Sequence, residues 1–433
     1  MPRAEALIDL PQIDPNPGFI ARVEARKELV VLPGGLNLQS ELYTSHGLVA
    51  AVGHFGQRFT RAEVNDRVLA IGGKLSENTG FDQIYRFQGV DEIDSERPEE
   101  EYGRFLKKIY PDMVEVGGHL TKMALDARGW RPEEIRFVDF VSTMGMPGMA
   151  RNIADRLGMV NAEANGYIDA CAGSVIAIGE RTRNAASYGQ KGVLLAIDPV
   201  GIMPFDPKLA DSLSGQVFSN GIGVIPYRPV VEIKRLAGLR ELHEDVKMVG
   251  ERETHALSVR LPSALVFEGN DRSIALIRNK DGGRDQIIRI PVPEDGKWID
   301  MRGIATASFF IENGARVIVK GLERFKKLQP DREIDFIIAH HPSLQVYRGL
   351  RNRIAGLMLE QGYDAQSIIK LLSKIKWDVH DGNSSGSTWP IAFGRNLEQF
   401  KPGDTVLAIG YGAGGIFDAE LFEIGQGEGK VAA

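Results

Sequence analysis

The segment Tyr167-Ile-Asp-Ala-Cys-Ala-Gly-Ser-Val-Ile-Ala-Ile178 runs from an apolar, strand-like stretch through a small-residue turn into a helix. The order helix, strand, turn, helix, strand then comes a second time around Asp381-Gly-Asn-Ser-Ser-Gly-Ser387. Alternating strands and helices call for an α/β protein with layered sheets. Using that order twice constrains the chain to two similar halves. No strict short-period repeat accompanies it, so the similarity is one of layout.

The periodicity places the elements. A small apolar run at 47–53 reads as a first strand, and helical spacing follows over 61–77. Phe105, Ile109, Met113, Val116, Leu120 and Ala124 recur at helical spacing, which predicts an amphipathic helix over 103–126. A strand is expected over 135–142 and a helix over 149–157. A buried strand over 165–170 ends at Cys171, with a helix over 172–187 and a strand over 192–197 after it. Residues 229–300 break the rhythm with charge and short alternating runs such as Ser273-Ile-Ala-Leu-Ile-Arg278, and read as an insertion of strands and loops. The rhythm resumes with a long helix over 303–327, a strand over 334–339, helices over 344–362 and 366–375, and strands over 405–410 and 416–423. The expected division is an irregular, Pro- and Gly-punctuated extension (1–45), a nucleophile-bearing half (46–228), the insertion (229–300) and a second half (301–433).

Bulk composition excludes several classes. With 433 residues the chain can bury a substantial core, and 43% hydrophobic with 25% charged residues is ordinary for a soluble globular protein. The net charge of -6 argues against a surface built for nucleic acid or anionic membrane. A single cysteine cannot form an intrachain disulfide, which fits a reducing cytoplasm. No apolar run is long enough to span a bilayer, and the first residues lack the apolar core of a signal peptide.

The candidate chemistry rests on Cys171, His340 and Asn383. A thiol at a helix start feels the positive end of the helix dipole, which favours the nucleophilic thiolate. His340 directly follows a predicted strand, in Ile337-Ile-Ala-His-His-Pro-Ser343, and is preferred to His341, whose neighbour Pro342 fits the first turn of the next helix. Asn383 supplies a neutral amide donor. No His/Cys/Asp cluster has metal-ligand spacing, so no metal is expected. The turn Gly412-Ala-Gly-Gly415 lacks the lysine of a phosphate-binding loop and the spacing of a dinucleotide fingerprint.

Together, Asp169-Ala-Cys-Ala-Gly173, Gly382-Asn-Ser-Ser-Gly-Ser387, Lys401-Pro-Gly-Asp-Thr-Val-Leu-Ala-Ile-Gly-Tyr-Gly-Ala-Gly414 and Ala124-Leu-Asp-Ala-Arg-Gly-Trp-Arg-Pro-Glu-Glu-Ile-Arg-Phe-Val138 resemble the β-ketoacyl-acyl-carrier-protein synthase III family of the thiolase superfamily. The resemblance runs from about 47 to 425 and covers 229–300 only loosely. It implies a thiolase-like fold of two halves in a five-layered αβαβα arrangement, with the site between the halves. It implies acyl transfer to Cys171, then a decarboxylative Claisen condensation with a malonyl-type thioester. His340 and Asn383 would donate to the enolate oxygen. The acyl oxyanion would be held by backbone N–H groups at Cys171 and at the Gly412–Gly414 turn. Substrates would be acyl thioesters of coenzyme A or of an acyl carrier protein, with no bound cofactor. A homodimer is expected, with Arg348, Arg351 and Arg353 on one helix as a candidate docking patch for an acidic carrier.

Two departures stand out. His340-His-Pro-Ser343 replaces the family's His-Gln-Ala-Asn, which weighs against a housekeeping role in starting fatty-acid chains and leaves room for a specialised biosynthetic one. Ser219-Asn-Gly-Ile-Gly223 replaces Gly-Asp-Gly-Ala-Gly, a difference expected to be structural. Acyl transfer to oxygen or nitrogen without condensation stays open. So do two readings of other classes, a papain-type Cys-His-Asn hydrolase and a non-catalytic acyl-binding partner subunit.

Overall fold

The computed structural model describes residues 26–70, 72, 75, 79–87, 98–143, 146, 148–167, 170–202, 216–242, 246–247, 253–260, 271–278, 284–286, 288–289, 300–301, 303–340, 342–376, 380–412 and 416–425. Two mixed sheets dominate. The first is built from β1 (Arg26–Val31), β2 (Asn37–Ser45), β3 (Leu48–Phe55), β6 (Ile135–Val141), β7 (Glu163–Tyr167), β8 (Lys191–Asp198) and β9 (Gly221–Tyr227), in the order β1-β2-β3-β9-β8-β6-β7. β4 (Gln57–Thr60) and β5 (Gln83–Arg86) form a separate ribbon. The second sheet has the order β10-β20-β19-β17-β18, from β10 (Ile233–Leu242), β17 (Phe336–Ala339), β18 (Ile375–Lys376), β19 (Thr405–Gly412) and β20 (Ile416–Ile424).

The two sheets repeat one pattern. In the first, β6 pairs parallel with both β7 and β8, and β9 runs antiparallel to β8 and β3. In the second, β17 pairs parallel with both β18 and β19, and β20 runs antiparallel to β19 and β10. The halves are alike in fold, as the doubled order of elements anticipates.

The helices make the remaining layers. They are α1 (Arg61–Ala70), α2 (Pro98–Arg128), α3 (Met149–Arg156), α4 (Gly173–Arg183), α5 (Gly303–Leu328), α6 (Leu344–Glu360), α7 (Ala365–Leu372) and α8 (Thr388–Asn396). α4 and α8 lie between the sheets. Val175, Ala177 and Ile178 of α4 and Trp389, Ile391 and Phe393 of α8 share a buried cluster with Val52, Leu194 and Ile225 of one sheet and Ile338, Val406 and Phe422 of the other. A helix buried on all sides must be apolar all round, and α4 is buried at nearly every position from Gly173 to Thr182. Within this layer Arg181 of α4 grips both carboxylate oxygens of Asp139 in β6, its Nε 3.0 Å from each.

Four expectations need correction. Residues 26–45 are not irregular: β1 and β2 form a hairpin that widens the first sheet, and Pro33-Gly34-Gly35, with Gly35 at φ +80°, is its turn. Residues 1–25 lie outside the described residues. The helix after residue 60 stops at Ala70, and Gly72 at φ +72° caps it in the left-handed region that glycine tolerates. The strand before Cys171 is the outer edge of its sheet and is only partly buried. Residues 233–242 belong to the second sheet, so the inserted structure starts after β10. There, β11 (Val246–Lys247), β12 (Glu253–Arg260), β13 (Asp271–Arg278) and β14 (Arg284–Gln286) make an antiparallel sheet, and β15 (Ile288–Arg289) pairs with β16 (Asp300–Met301). No described helix is long and apolar enough to cross a membrane.

Candidate active site

Open α/β sheets place functional groups beyond the carboxyl ends of parallel strands. Here those ends belong to β6, β7, β8, β17, β18 and β19. Cys171 lies in a short 3-10 turn, Ala170–Ala172, between β7 and α4. The turn packs on β19, where Gly410 leaves no room for a side chain: a Cβ there would meet Ala172 Cα at 2.9 Å. Cys171 Sγ is 3.2 Å from Ser385 Oγ.

Ser385 belongs to the asparagine loop. Asn383 Oδ1 accepts from the Ser385 N–H at 2.9 Å and from Thr388 Oγ1 at 3.4 Å. Those acceptor contacts turn its carboxamide so that, among the described residues, none accepts a hydrogen bond from Nδ2. The Asn383 backbone is fixed from the other half: its N–H donates to Val217 O at 2.7 Å, and its carbonyl accepts from Ser219 N at 3.0 Å. Gly382, at φ +85°, is required, since a Cβ would approach Ser219 Cβ to 2.7 Å. Ser385 has φ +51°, a left-handed conformation that costs a non-glycine residue energy and is held by its hydrogen bonds. Ser174 Oγ donates to Gly386 O at 2.6 Å, locking the start of α4 to this loop.

His340 follows β17, and its N–H donates to Ile409 O at 3.0 Å. The ring is buried and meets Tyr411 edge-on, with centroids 5.3 Å apart. Burial raises the Tyr411 phenol, and the charge of Cys171 raises it further. Trp389 Nε1 donates to Ile338 O at 3.1 Å, which couples the helix after the asparagine loop to the histidine strand.

At the thiol, burial acts against the effect expected of the helix start. Its side chain is only partly covered, yet the surrounding protein displaces enough water that burial pushes Cys171 up to about 12. The Ser385 hydrogen bond opposes this, and the charge of Asp198 adds to it. Desolvation raises the thiol because the thiolate would be the poorly hydrated form.

Sequence reasoning missed Asp198, Thr143, Ser385 and the supports behind Asn383. Asp198, fully buried at the end of β8, accepts from Gly386 N at 2.6 Å, Thr143 Oγ1 at 3.1 Å and Ser142 Oγ at 3.3 Å. Thr143 Oγ1 also hydrogen-bonds Ser385 Oγ. Asp198, Ser142 and Thr143 follow or end a predicted strand, a position that could have flagged them. Asp381 takes Gln83 Nε2 at 2.6 Å and Arg395 at 2.6 Å, with His54 Nε2 at 3.3 Å. Burial works to raise the Asp381 carboxyl, but Arg395 and His54 overcome it and hold the group well below the usual range. Asn220 accepts from Gly201 N at 2.9 Å and donates to Phe55 O at 3.1 Å.

The remaining candidates divide. Gly412 is buried at the end of β19, whereas Gly414 and His341 lie outside the described residues. The three arginines of α6 do not form one free patch. Arg353 is spent on Glu312, at 2.6 and 3.1 Å, and on Glu360 at 3.2 Å. Arg351 lies over the Tyr347 ring at 5.5 Å, and Arg348 is exposed. Among the described residues no group of three His, Cys, Asp or Glu side chains could hold a metal ion.

Comparison with known proteins places this geometry in a fold. No protein-family model matches the chain, and no curated protein matches it by sequence. Solved structures do. A 3-oxoacyl-[acyl-carrier-protein] synthase III from Aquifex aeolicus is 14% identical, with 89% of this chain and 99% of that one covered at a TM-score of 0.55. A β-ketoacyl-[acyl carrier protein] synthase III from Thermus thermophilus is 15% identical, with 87% and 98% covered at 0.56. The 1,3,6,8-tetrahydroxynaphthalene synthase of Streptomyces coelicolor, a type III polyketide synthase, is 15% identical, with 87% and 98% covered at 0.56. Two like halves, buried central helices and these matches along nearly the whole chain show that the protein has the thiolase fold.

Proposed function

We propose that the chain is a condensing enzyme of the β-ketoacyl-acyl-carrier-protein synthase III type, acting on acyl and malonyl-type thioesters in fatty-acid or polyketide-like biosynthesis. Cys171 takes the acyl group as a thioester. Loss of CO2 from the extender creates an enolate whose oxygen accepts from His340 and from Asn383 Nδ2. The enolate carbon attacks the acyl carbonyl, and the Cys171 thiolate leaves. Preorganised neutral donors suit a charge that exists only in the transition state and intermediate. The acyl oxyanion has its donors in the backbone at Cys171 and at the turn from Gly412 to Gly414.

One observation carries the reading: Cys171 Sγ touches Ser385 Oγ, and the Ser385 N–H is held by Asn383 Oδ1, so nucleophile and amide meet through one residue. Substrates arrive on coenzyme A or a carrier protein, with exposed Arg348 and neighbouring Arg351 as the docking charges. The exposed outer edge of β7, directly before the nucleophile, supports a homodimer paired along that strand.

Intact-mass spectrometry with a panel of acyl thioesters and a malonyl thioester tests this. The expected result is an acyl adduct on Cys171, absent in Cys171→Ala, and a released product longer by two carbons with one CO2 lost. An adduct passed to an alcohol or amine without CO2 release reassigns the enzyme to acyl transfer. No adduct from any thioester refutes the proposal.

A further inference from the structure

We propose that Ser385, Thr143 and Asp198 form a proton relay that carries the S–H proton of Cys171 to a buried carboxylate when the sulfur attacks. The inference rests on Cys171 being the nucleophile, as proposed above, and adds the base that such an attack needs.

The connection is continuous. Sγ of Cys171 lies 3.2 Å from Ser385 Oγ, Ser385 Oγ hydrogen-bonds Thr143 Oγ1, and Thr143 Oγ1 lies 3.1 Å from Asp198 Oδ2. Its polarity follows from the last link. A carboxylate only accepts, so the Thr143 hydroxyl must donate to Asp198. Thr143 then accepts from the Ser385 hydroxyl, and a lone pair of Ser385 is left facing the thiol. Every proton in the chain points toward Asp198, and the S–H is the first of them.

Electrostatics favours this route over direct release to water. Ionising the thiol alone would set a second negative charge beside Asp198 in a site with little solvent. Burial and that neighbouring charge both act to keep the thiol protonated. Passing the proton to Asp198 keeps the total at one negative charge and moves it to the sulfur. Among the described residues, the groups around the pair include Tyr411 from β19 with the His340 ring against it, Ser142 and Thr143 after β6, Ser385, and the Gly386 N–H. Gly386 N and Ser142 Oγ hold Asp198 in place on both oxygens.

The step balances. As the Cys171 sulfur bonds to the thioester carbonyl carbon, its proton goes to Ser385, the Ser385 proton to Thr143 and the Thr143 proton to Asp198. Collapse of the tetrahedral intermediate breaks the bond to the leaving thiol. That thiolate takes the proton back from Asp198 along the same hydroxyls. Acyl-Cys171, a free thiol and ionised Asp198 remain.

The test compares wild type, Thr143→Val, Thr143→Ser and Asp198→Asn. It follows the rate of Cys171 acylation by a short-chain acyl-coenzyme A, and separately of alkylation by iodoacetamide, by intact mass between about pH 6 and pH 9. In wild type both rates are flat with pH over this window, because the base is internal. In Thr143→Val both drop by roughly 10²-fold near neutral pH, the usual worth of a positioned general base. They then rise tenfold per pH unit, since solvent must remove the proton. Thr143→Ser restores both rate and flat profile. A Thr143→Val protein that reacts at the wild-type rate, or one slowed without a change of profile and not rescued by serine, overturns the relay. Failure of wild type to take any acyl group would sink the functional reading alone, because the iodoacetamide profiles still answer for the relay.

Discussion

Gly410 and Ala172 touch backbone to backbone: a Cβ on Gly410 would lie 2.9 Å from Ala172 Cα and 3.1 Å from its carbonyl oxygen. The nucleophile turn is thus held against a strand of the other half. Gly410→Val must push the turn outward. The expected cost is about 1–3 kcal/mol of stability by overpacking, with a larger proportional loss in acylation of Cys171. Urea unfolding and adduct formation measured on one preparation check both, and undiminished acylation rejects the coupling.

Asn383→Asp separates the two ends of one carboxamide. The Oδ1 contact with the Ser385 N–H survives, because a carboxylate also accepts. The Nδ2 donor is lost and a negative charge replaces it where an enolate oxygen would form. Condensation should fall by about 10²–10³-fold while the acyl adduct still appears. Equal loss of both steps would show that the residue acts only on loop structure.

Glu420, on the face of β20 toward α4, gives a pH signature. Burial pushes its carboxyl up to about 7, the Asp418 charge adds to that, and Arg235 and Arg183 oppose it. Unfolded, it titrates near 4.5. Between these values the folded chain keeps a proton that the unfolded chain has released. Its stabilising contribution is therefore full below the lower value and is lost as pH rises through the upper one. Wild type should lose on the order of 3 kcal/mol from this source between about pH 5 and pH 8. Urea midpoints at the two pH values should differ less in Glu420→Gln, and an unchanged difference refutes the assignment.

Arg353 and Arg348 should behave oppositely although they share a helix. Arg353→Ala leaves the buried carboxylate of Glu312 with Arg316 alone, and should cost roughly 1–3 kcal/mol. Carrier use should not change apart from that loss. Arg348→Glu changes an exposed charge and should leave stability within about 0.5 kcal/mol, while raising KM for an acyl carrier protein and not for the coenzyme A thioester. Denaturation curves and KM values for both donors decide it.

What the sequence made legible follows from which signals are local. β6, β8, β17, β19 and β20 are short apolar runs between breakers, and their positions are readable to within a residue or two. The turn at Cys171 and the strand end at His340 are readable for the same reason. Thr143, Asp198 and Ser385 were not, because hydroxyls and carboxylates are common and their meeting depends on which strands become neighbours. The same holds for His54 and Asp381, which are far apart in sequence and meet only when β3 packs beneath the asparagine loop. Pro33-Gly34-Gly35 misled in the other direction: its composition suggests irregular chain, while its place between Val31 and Asn37 makes it a hairpin turn.

The doubled sheet pattern has a consequence for how such a protein can change. His340 leaves β17 at the point where Ser142 leaves β6, and the turns carrying Asn383 and Cys171 follow the matching neighbour strands β18 and β7. Two scaffold positions, each occurring twice, therefore carry four unlike chemical groups. Divergence at one copy leaves its counterpart's surroundings largely intact, so new reactivity can be sampled on one side while the other preserves the architecture.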